Sequence, residues 1–241
     1  MNQEIGKDLS NPYWNVEFSL ICLMTVAFII ISVFAEFGAS GYLENPLMDY
    51  LSNHRTQITD FAFIVITTTS DTINLMIAGF VMTIIKRTRK FGMILLISLV
   101  AITILVTYLK PLFAIDHPVQ NFTPLIALPD KFTLERDSFM PFALDYSFPS
   151  NHIASATAFA FIIGGLAFKY SRKFSIGFLI AFPAIIGFTK LYLFQHNVLD
   201  LVDGYLLGLI VTSLMVRGLK ANTKIETKSS ASSESERKNK I

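Results

Sequence analysis

Runs of about twenty apolar residues recur along this chain, and their recurrence constrains the fold more than any other feature. We draw six: Phe18 to Ala35, Phe61 to Ile85, Phe91 to Leu109, Ile153 to Phe168, Phe174 to Leu193 and Val198 to Val216. A helix needs ~20 largely apolar residues to cross ~30 Å of hydrocarbon at ~1.5 Å per residue. With 52% hydrophobic and 16% charged residues, the chain carries more apolar surface than one soluble core can hide. Unpaired backbone groups are costly in lipid, and the runs are too long for barrel strands. The expected fold class is therefore all-α, a polytopic bundle of six transmembrane helices. The second run is interrupted by Thr67-Thr68-Thr69-Ser70-Asp71-Thr72. Either Asp71 faces other helices, or the span starts near Ile73 with the preceding piece at the interface.

Charge placement predicts the topology. The loops Lys86-Arg87-Thr88-Arg89-Lys90 and Lys169-Tyr170-Ser171-Arg172-Lys173, and the basic tail after Val216, are cytoplasmic by the positive-inside rule. Both termini are then cytoplasmic, and residues 36–60, 110–152 and the turn around Gln195 are extracytoplasmic. Three regions follow: a cytoplasmic N-terminal segment (1–17), a membrane domain (18–216) and a disordered cytoplasmic tail (217–241), polar and poor in apolar residues. The long, proline-rich loop between helices 3 and 4, Pro111 to Ser150, is a cap or a lid over the outer face. The first run lacks a clear cleavage site and reads as a retained span. A net charge of +2 does not suggest nucleic acid, and the lone Cys22 is a small apolar filler. Tyr192 and Trp14 are expected in interfacial belts, and His54 is read as an ordinary loop residue.

On this topology all four histidines share the outer face, together with three polar strings. Lys110 is followed after six residues by His117-Pro118. Pro149-Ser150-Asn151-His152 precedes the fourth run, and Thr189-Lys190 is followed by five residues, His196, three residues and Asp200. His196 and Asp200 share one helical face, so the carboxylate can fix the tautomer and leave the other ring nitrogen free to attack; equally, Asp200 and Asp203 suit a polar seam at the membrane surface. Ser150 or Asn151 is a good N-cap, and the free N–H groups there offer an anion site beside which His152 can serve as a general acid; plain capping explains that string as well. Lys110 and Lys190 suit snorkelling anchors, but their polar company favours an anion-binding role.

In order and in spacing these strings resemble those of the type 2 phosphatidic-acid phosphatase family, in the superfamily that includes vanadium-dependent haloperoxidases. The family pattern is Lys, six residues, Arg-Pro; then Pro-Ser-Gly-His; then Ser-Arg, five residues, His, three residues, Asp. The resemblance covers about Asn45 to Val216. It implies that His196 is the nucleophile forming a phosphohistidine, Asp200 its orienting partner and His152 the acid. Lys110, His117, Ser150, Asn151 and Lys190 are implied as the phosphate-binding residues, with no cofactor or metal and with vanadate or tungstate as inhibitors. Three positions depart: His117 and Lys190 stand where the family has Arg, and Asn151 where it has Gly. Two bidentate guanidinium forks are lost, whereas Asn still supplies its N–H. A histidine at position 117 carries charge only when protonated, so activity should fall with rising pH more steeply than in a His117→Arg variant.

The function expected is that of an integral membrane lipid phosphatase of a bacterial inner membrane. Its substrate is an isoprenoid diphosphate, a phosphatidylglycerophosphate or a phosphatidate, and its site is extracytoplasmic. The alternatives are a catalytically weak or inactive lipid-phosphate binding or transport protein, and a membrane phosphotransferase. Oligomeric state is not legible in the sequence.

Overall fold

A computed structural model describes residues 12–37, 41–118, 122–128, 134, 137–138 and 140–238. Most of the expected cytoplasmic N-terminal segment, residues 1–11, lies outside the described residues. The described residues form eight α-helices and no β-strand. They are α1 (Phe18–Glu36), α2 (Gly41–Asn53), α3 (Gln57–Thr68), α4 (Thr72–Ile84), α5 (Arg89–Phe113), α6 (Asn151–Ala167), α7 (Arg172–Tyr192) and α8 (Val198–Lys238). Between α5 and α6 the described residues hold a 3-10 turn, Pro141–Ala143, and an isolated bridge between Asp116 and Tyr146.

By length and composition α1, α5, α7 and Val198–Leu219 of α8 can each cross a membrane. The polar string Thr67 to Thr72 splits the expected second span into α3 and α4, which meet at a 45° bend and make a fifth crossing if the pair is one span. The sixth apolar helix, α6, is shorter at 17 residues. Beyond Val216, where composition suggests a disordered tail, the backbone of α8 continues as helix to Lys238. Outward apolar side chains such as Leu23 (64% exposed), Phe34 (58%) and Ile180 (58%) leave a surface suited to lipid.

The shortest of these apolar helices is also the most buried. Ala154, Ala158 and Ile162 of α6 have no exposed surface, as a helix apolar on every face requires. Around it pack α5, α7 and α8. Small residues allow the approach of α8. A Cβ on Gly204 would lie 2.6 Å from the Ser150 carbonyl oxygen, and one on Gly208 would collide with the Ala154 carbonyl. This four-residue spacing of small residues lets two membrane helices touch backbone to backbone. On the far side of α8, Asp203 accepts a hydrogen bond from Ser32 of α1 at 2.7 Å, tying the first span to the bundle.

Two aromatic side chains differ from expectation. Trp14 is buried, stacked on Phe91 with ring centroids 5.3 Å apart, and covers Gly165 near the C-terminal end of α6. Tyr192 is buried too, its hydroxyl donating to Asp60 at 2.7 Å. Each ring fills a gap between helices that the sequence alone does not reveal. Arg55 pairs with the same Asp60 at 2.7 Å and donates to the Thr123 carbonyl, which fastens the connection between α5 and α6 to the start of α3. His54 accordingly stays local, bonded to the Tyr50 carbonyl and stacked on that ring.

Candidate active site

The N-terminus of α6 opens where Ser150 takes extended geometry and accepts the Ile153 N–H at 3.5 Å. The next two N–H groups, of Asn151 and His152, have no partner within the helix and point at one carboxylate. Asn151 N donates to Asp137 Oδ2 at 2.8 Å and His152 N to Asp137 Oδ1 at 3.0 Å. An anion placed there also gains from the helix dipole.

Three side chains converge on the same carboxylate. Lys110, fully buried at the end of α5, holds its ammonium 3.1 Å from Asp137 Oδ2 and donates to the Tyr146 and Ser147 carbonyls. His152 Nδ1 lies 2.5 Å from Asp137 Oδ1, and His196 Nε2 lies 3.5 Å from that same oxygen. A single oxygen atom therefore touches both imidazoles. Ser150 Oγ is 3.1 Å from His196 Nε2.

Each imidazole has an acid behind it. Asp200 Oδ2 stands 3.4 Å from His196 Nδ1 and accepts the Asn197 N–H at 2.8 Å; Asp71, the N-cap of α4, stands 3.8 Å from His152 Nε2. Asp71 thus faces another helix, as the first of the two options for its polar string has it, while α4 begins at Thr72, next to the Ile73 start of the second. The turn that presents His196 contains Phe194 in left-handed geometry, φ 52°, a conformation a non-glycine residue adopts only under constraint.

Gln195 governs the two positions where family arginines are absent. Lys190 Nζ donates to its side-chain oxygen at 2.9 Å, and His117 Nδ1 lies 2.8 Å from its carbonyl. The other ring nitrogen of His117 is 3.2 Å from the Leu144 carbonyl. Carbonyl oxygens only accept, so both contacts are hydrogen bonds at once only when His117 carries two ring protons. The His117 and His196 ring centroids are 6.2 Å apart, across a cavity of about 300 Å³ lined by His117, Asp137, Leu144, Asp145, His152, Gln195 and His196. Lys190 stands behind that wall.

Burial pushes the Asp137 carboxyl up, but Lys110, His196 and the hydrogen bond from His152 outweigh it and hold the group well below the usual carboxylate range. Burial pushes the His196 imidazole down, and Asp137 followed by Asp200 overturns this, so its proton is held more tightly than in a free histidine. Asp137, His152 and His196 also bring ligand atoms within 4.8 Å of one another, near enough to share a cation. The Lys110 ammonium and two N–H dipoles aimed at the same carboxylate make the spot electropositive and oppose one.

Lys110, Ser150, Asn151, His152, His196 and Asp200 are thus gathered at one point, with His117 at the cavity wall. Sequence reasoning missed three contributors. Asp137 sits in a segment without periodicity, Gln195 in the gap before His196, and Asp71 showed only as a polar break in an apolar run.

The model of the PAP2 superfamily matches residues 91–224, more than half of the chain, and takes in all three polar strings. The chain belongs to the PAP2 superfamily. This PAP2 chain is similar to mouse sphingosine-1-phosphate phosphatase 2, at 28% identity over 121 residues that cover 48% of the chain and 31% of the relative. It therefore spans about a third of the length of that curated relative. Its fold matches the crystal structure of a transmembrane PAP2 type phosphatidylglycerolphosphate phosphatase from Bacillus subtilis. The TM-score is 0.64 at 19% identity, over 84% of this chain and 96% of that one.

Proposed function

We propose that this PAP2 protein is an integral membrane lipid phosphatase, with α3 and α4 as one bent span, α6 as the fourth of six, and the site on the extracytoplasmic face. It cleaves a phosphomonoester or diphosphate headgroup, such as an isoprenoid diphosphate, a phosphatidylglycerophosphate or a phosphatidate. The supporting observation is the shared oxygen: Asp137 Oδ1 lies 2.5 Å from one imidazole and 3.5 Å from the other, on a carboxylate that also takes two helix N–H groups and Lys110. A tetrahedral oxyanion at this point meets a nucleophile, an acid and a preorganised cradle together. The relatives named above are phosphatases, which agrees with this chemistry.

The reaction has two steps and calls on no metal. The Nε2 lone pair of His196 attacks phosphorus in line while Asp200 accepts the Nδ1 proton contact; the N–P bond forms as the bond to the lipid oxygen breaks. His152 Nδ1 gives its proton to that oxygen, and Asp71 steadies the resulting imidazole. Water then attacks phosphorus and passes a proton back to His152, which breaks the N–P bond and releases phosphate. Lys110, the Asn151 and His152 N–H groups and the Ser150 hydroxyl hold the equatorial oxygens, with His117 at the wall and Lys190 adding charge from behind it.

His196→Ala should lower phosphate release from a short-chain lipid phosphate by roughly 10⁴-fold or more in protein that remains folded. Turnover within tenfold of the native rate would remove the assignment. One phosphate released per lipid consumed separates hydrolysis from transfer to another acceptor.

A further inference from the structure

Asp137 is a carboxylate seated in a cradle that the reaction reserves for phosphate. Its two oxygens engage five donors: the N–H groups of Asn151 and His152, the Lys110 ammonium and the two imidazoles. The same donors cannot serve a substrate phosphate while the carboxylate holds them. A fixed negative charge at the reacting centre would also repel an anionic headgroup. If the carboxylate stays, the site does not bind phosphate; if it leaves, the site is complete without it.

We infer that Asp137 is an internal competitor, a carboxylate that occupies the phosphate position at rest and must be displaced by the substrate headgroup, and so sets which anions the site admits. The inference rests on the phosphatase reading. Asp137 lies between α5 and α6 and belongs to no membrane-spanning helix, so its withdrawal breaks no span. Ser150 Oγ, 3.1 Å from His196 Nε2, has no hydrogen bond to Asp137 among those described and is a further donor for a larger anion.

Displacement selects by charge. A tethered group competes at an effective concentration of about the millimolar range. The carboxylate has two oxygens and one charge. A phosphodiester of bulk membrane lipid also offers two free oxygens and one charge, so it gains nothing in the exchange. A phosphomonoester or terminal diphosphate offers three oxygens and up to two charges, which suits the five donors and Ser150 better. Asp137 thus keeps the abundant phosphodiester headgroups of the membrane out of the site. A cation bridging Asp137, His152 and His196 is the other use of this cluster, and the Lys110 ammonium 3.1 Å from the carboxylate argues against it.

The test uses the full chain in detergent and tungstate as probe. A site free about a tenth of the time binds about tenfold more weakly than a free one, so Asp137→Asn and Asp137→Ala should bind tungstate about tenfold more tightly than the native protein by calorimetry. Equal or weaker binding, or no binding by any of the proteins, overturns the inference. A second measurement keeps Asp137 and decides the matter if its variants do not fold. In a Ser138→Cys, Cys22→Ser protein the buried neighbour of Asp137 should react faster with a water-soluble maleimide when tungstate is added. An unchanged or slower rate overturns the inference as well. Phosphate release by the native protein is read separately, so failure of the phosphatase reading is distinguishable from failure of this one.

Discussion

In the proposed reaction His196 attacks as the neutral imidazole, and the carboxylates beside it delay that form. Its folded pKa is raised, so the fraction able to attack grows as pH climbs past the ordinary histidine value toward the raised one. The profile of kcat/KM should therefore have an acid limb that inflects above the ordinary histidine value of 6.5, and Asp137→Asn should shift this inflection to lower pH by removing the anion that raises it most. An unshifted limb would mean that another group sets it. The stability linkage has the opposite sign to this activity limb: the charged His196 pairs stabilise the fold fully below the unfolded pKa, and the gain is lost as pH rises through the raised value. His117 stands at the wall with its ring nitrogens against the Gln195 and Leu144 carbonyls. His117→Arg should raise kcat/KM, because a guanidinium offers a permanent charge and a two-pronged donor to phosphate. Equal kcat/KM for the two proteins would show that His117 is a wall residue alone.

Helix ends, more than helix faces, build this site. The N-terminus of α6 supplies two N–H groups, the C-terminal part of α5 supplies Lys110, the turn before α8 supplies His196, and the N-cap of α4 supplies Asp71. Such an assembly depends on how closely the helices approach. Gly208 lets α8 lie against the Ala154 carbonyl of α6, and a larger side chain there must push the two apart. Gly208→Val should cost about 1–3 kcal/mol as overpacking, seen as a lower melting temperature in detergent. The separation should also weaken tungstate binding, since His196 moves away with α8 from the donors on α6. Ser150→Ala is gentler in stability, about 1 kcal/mol for a lost cap, but it removes a contact to His196 Nε2 and should lower kcat more than it lowers melting. Equal stability and activity losses in the two variants would make Ser150 a cap and nothing more.

At the scale of the whole molecule, the short α6 sets the two ends of the bundle apart. Its 17 residues span ~25 Å at ~1.5 Å per residue, with the cradle at its N-terminus and the Trp14 plug over Gly165 near its other end. Positive loops at the plug end are the ground for proposing that the cradle lies outside. In a Cys22→Ser background, Asp145→Cys should react with an impermeant maleimide added to intact cells, and Lys169→Cys only after permeabilisation; both positions are exposed. The reverse pattern would invert the topology. By itself the sequence determined the apolar runs, the break at Thr67 to Thr72, the three polar strings and through them the donor set, because each depends on residues close together in the chain. It also brought Asp200 to His196, although His196 stands in the turn before α8 and not on the helical face the spacing suggested. Only the tertiary structure decided that Trp14 and Tyr192 fill interhelical gaps, that Gln195 ties down His117 and Lys190, and that Asp137 sits among the donors. Those contacts join residues far apart in sequence through segments without periodicity, where partner choice follows from which charges and surfaces the packed helices leave unmatched.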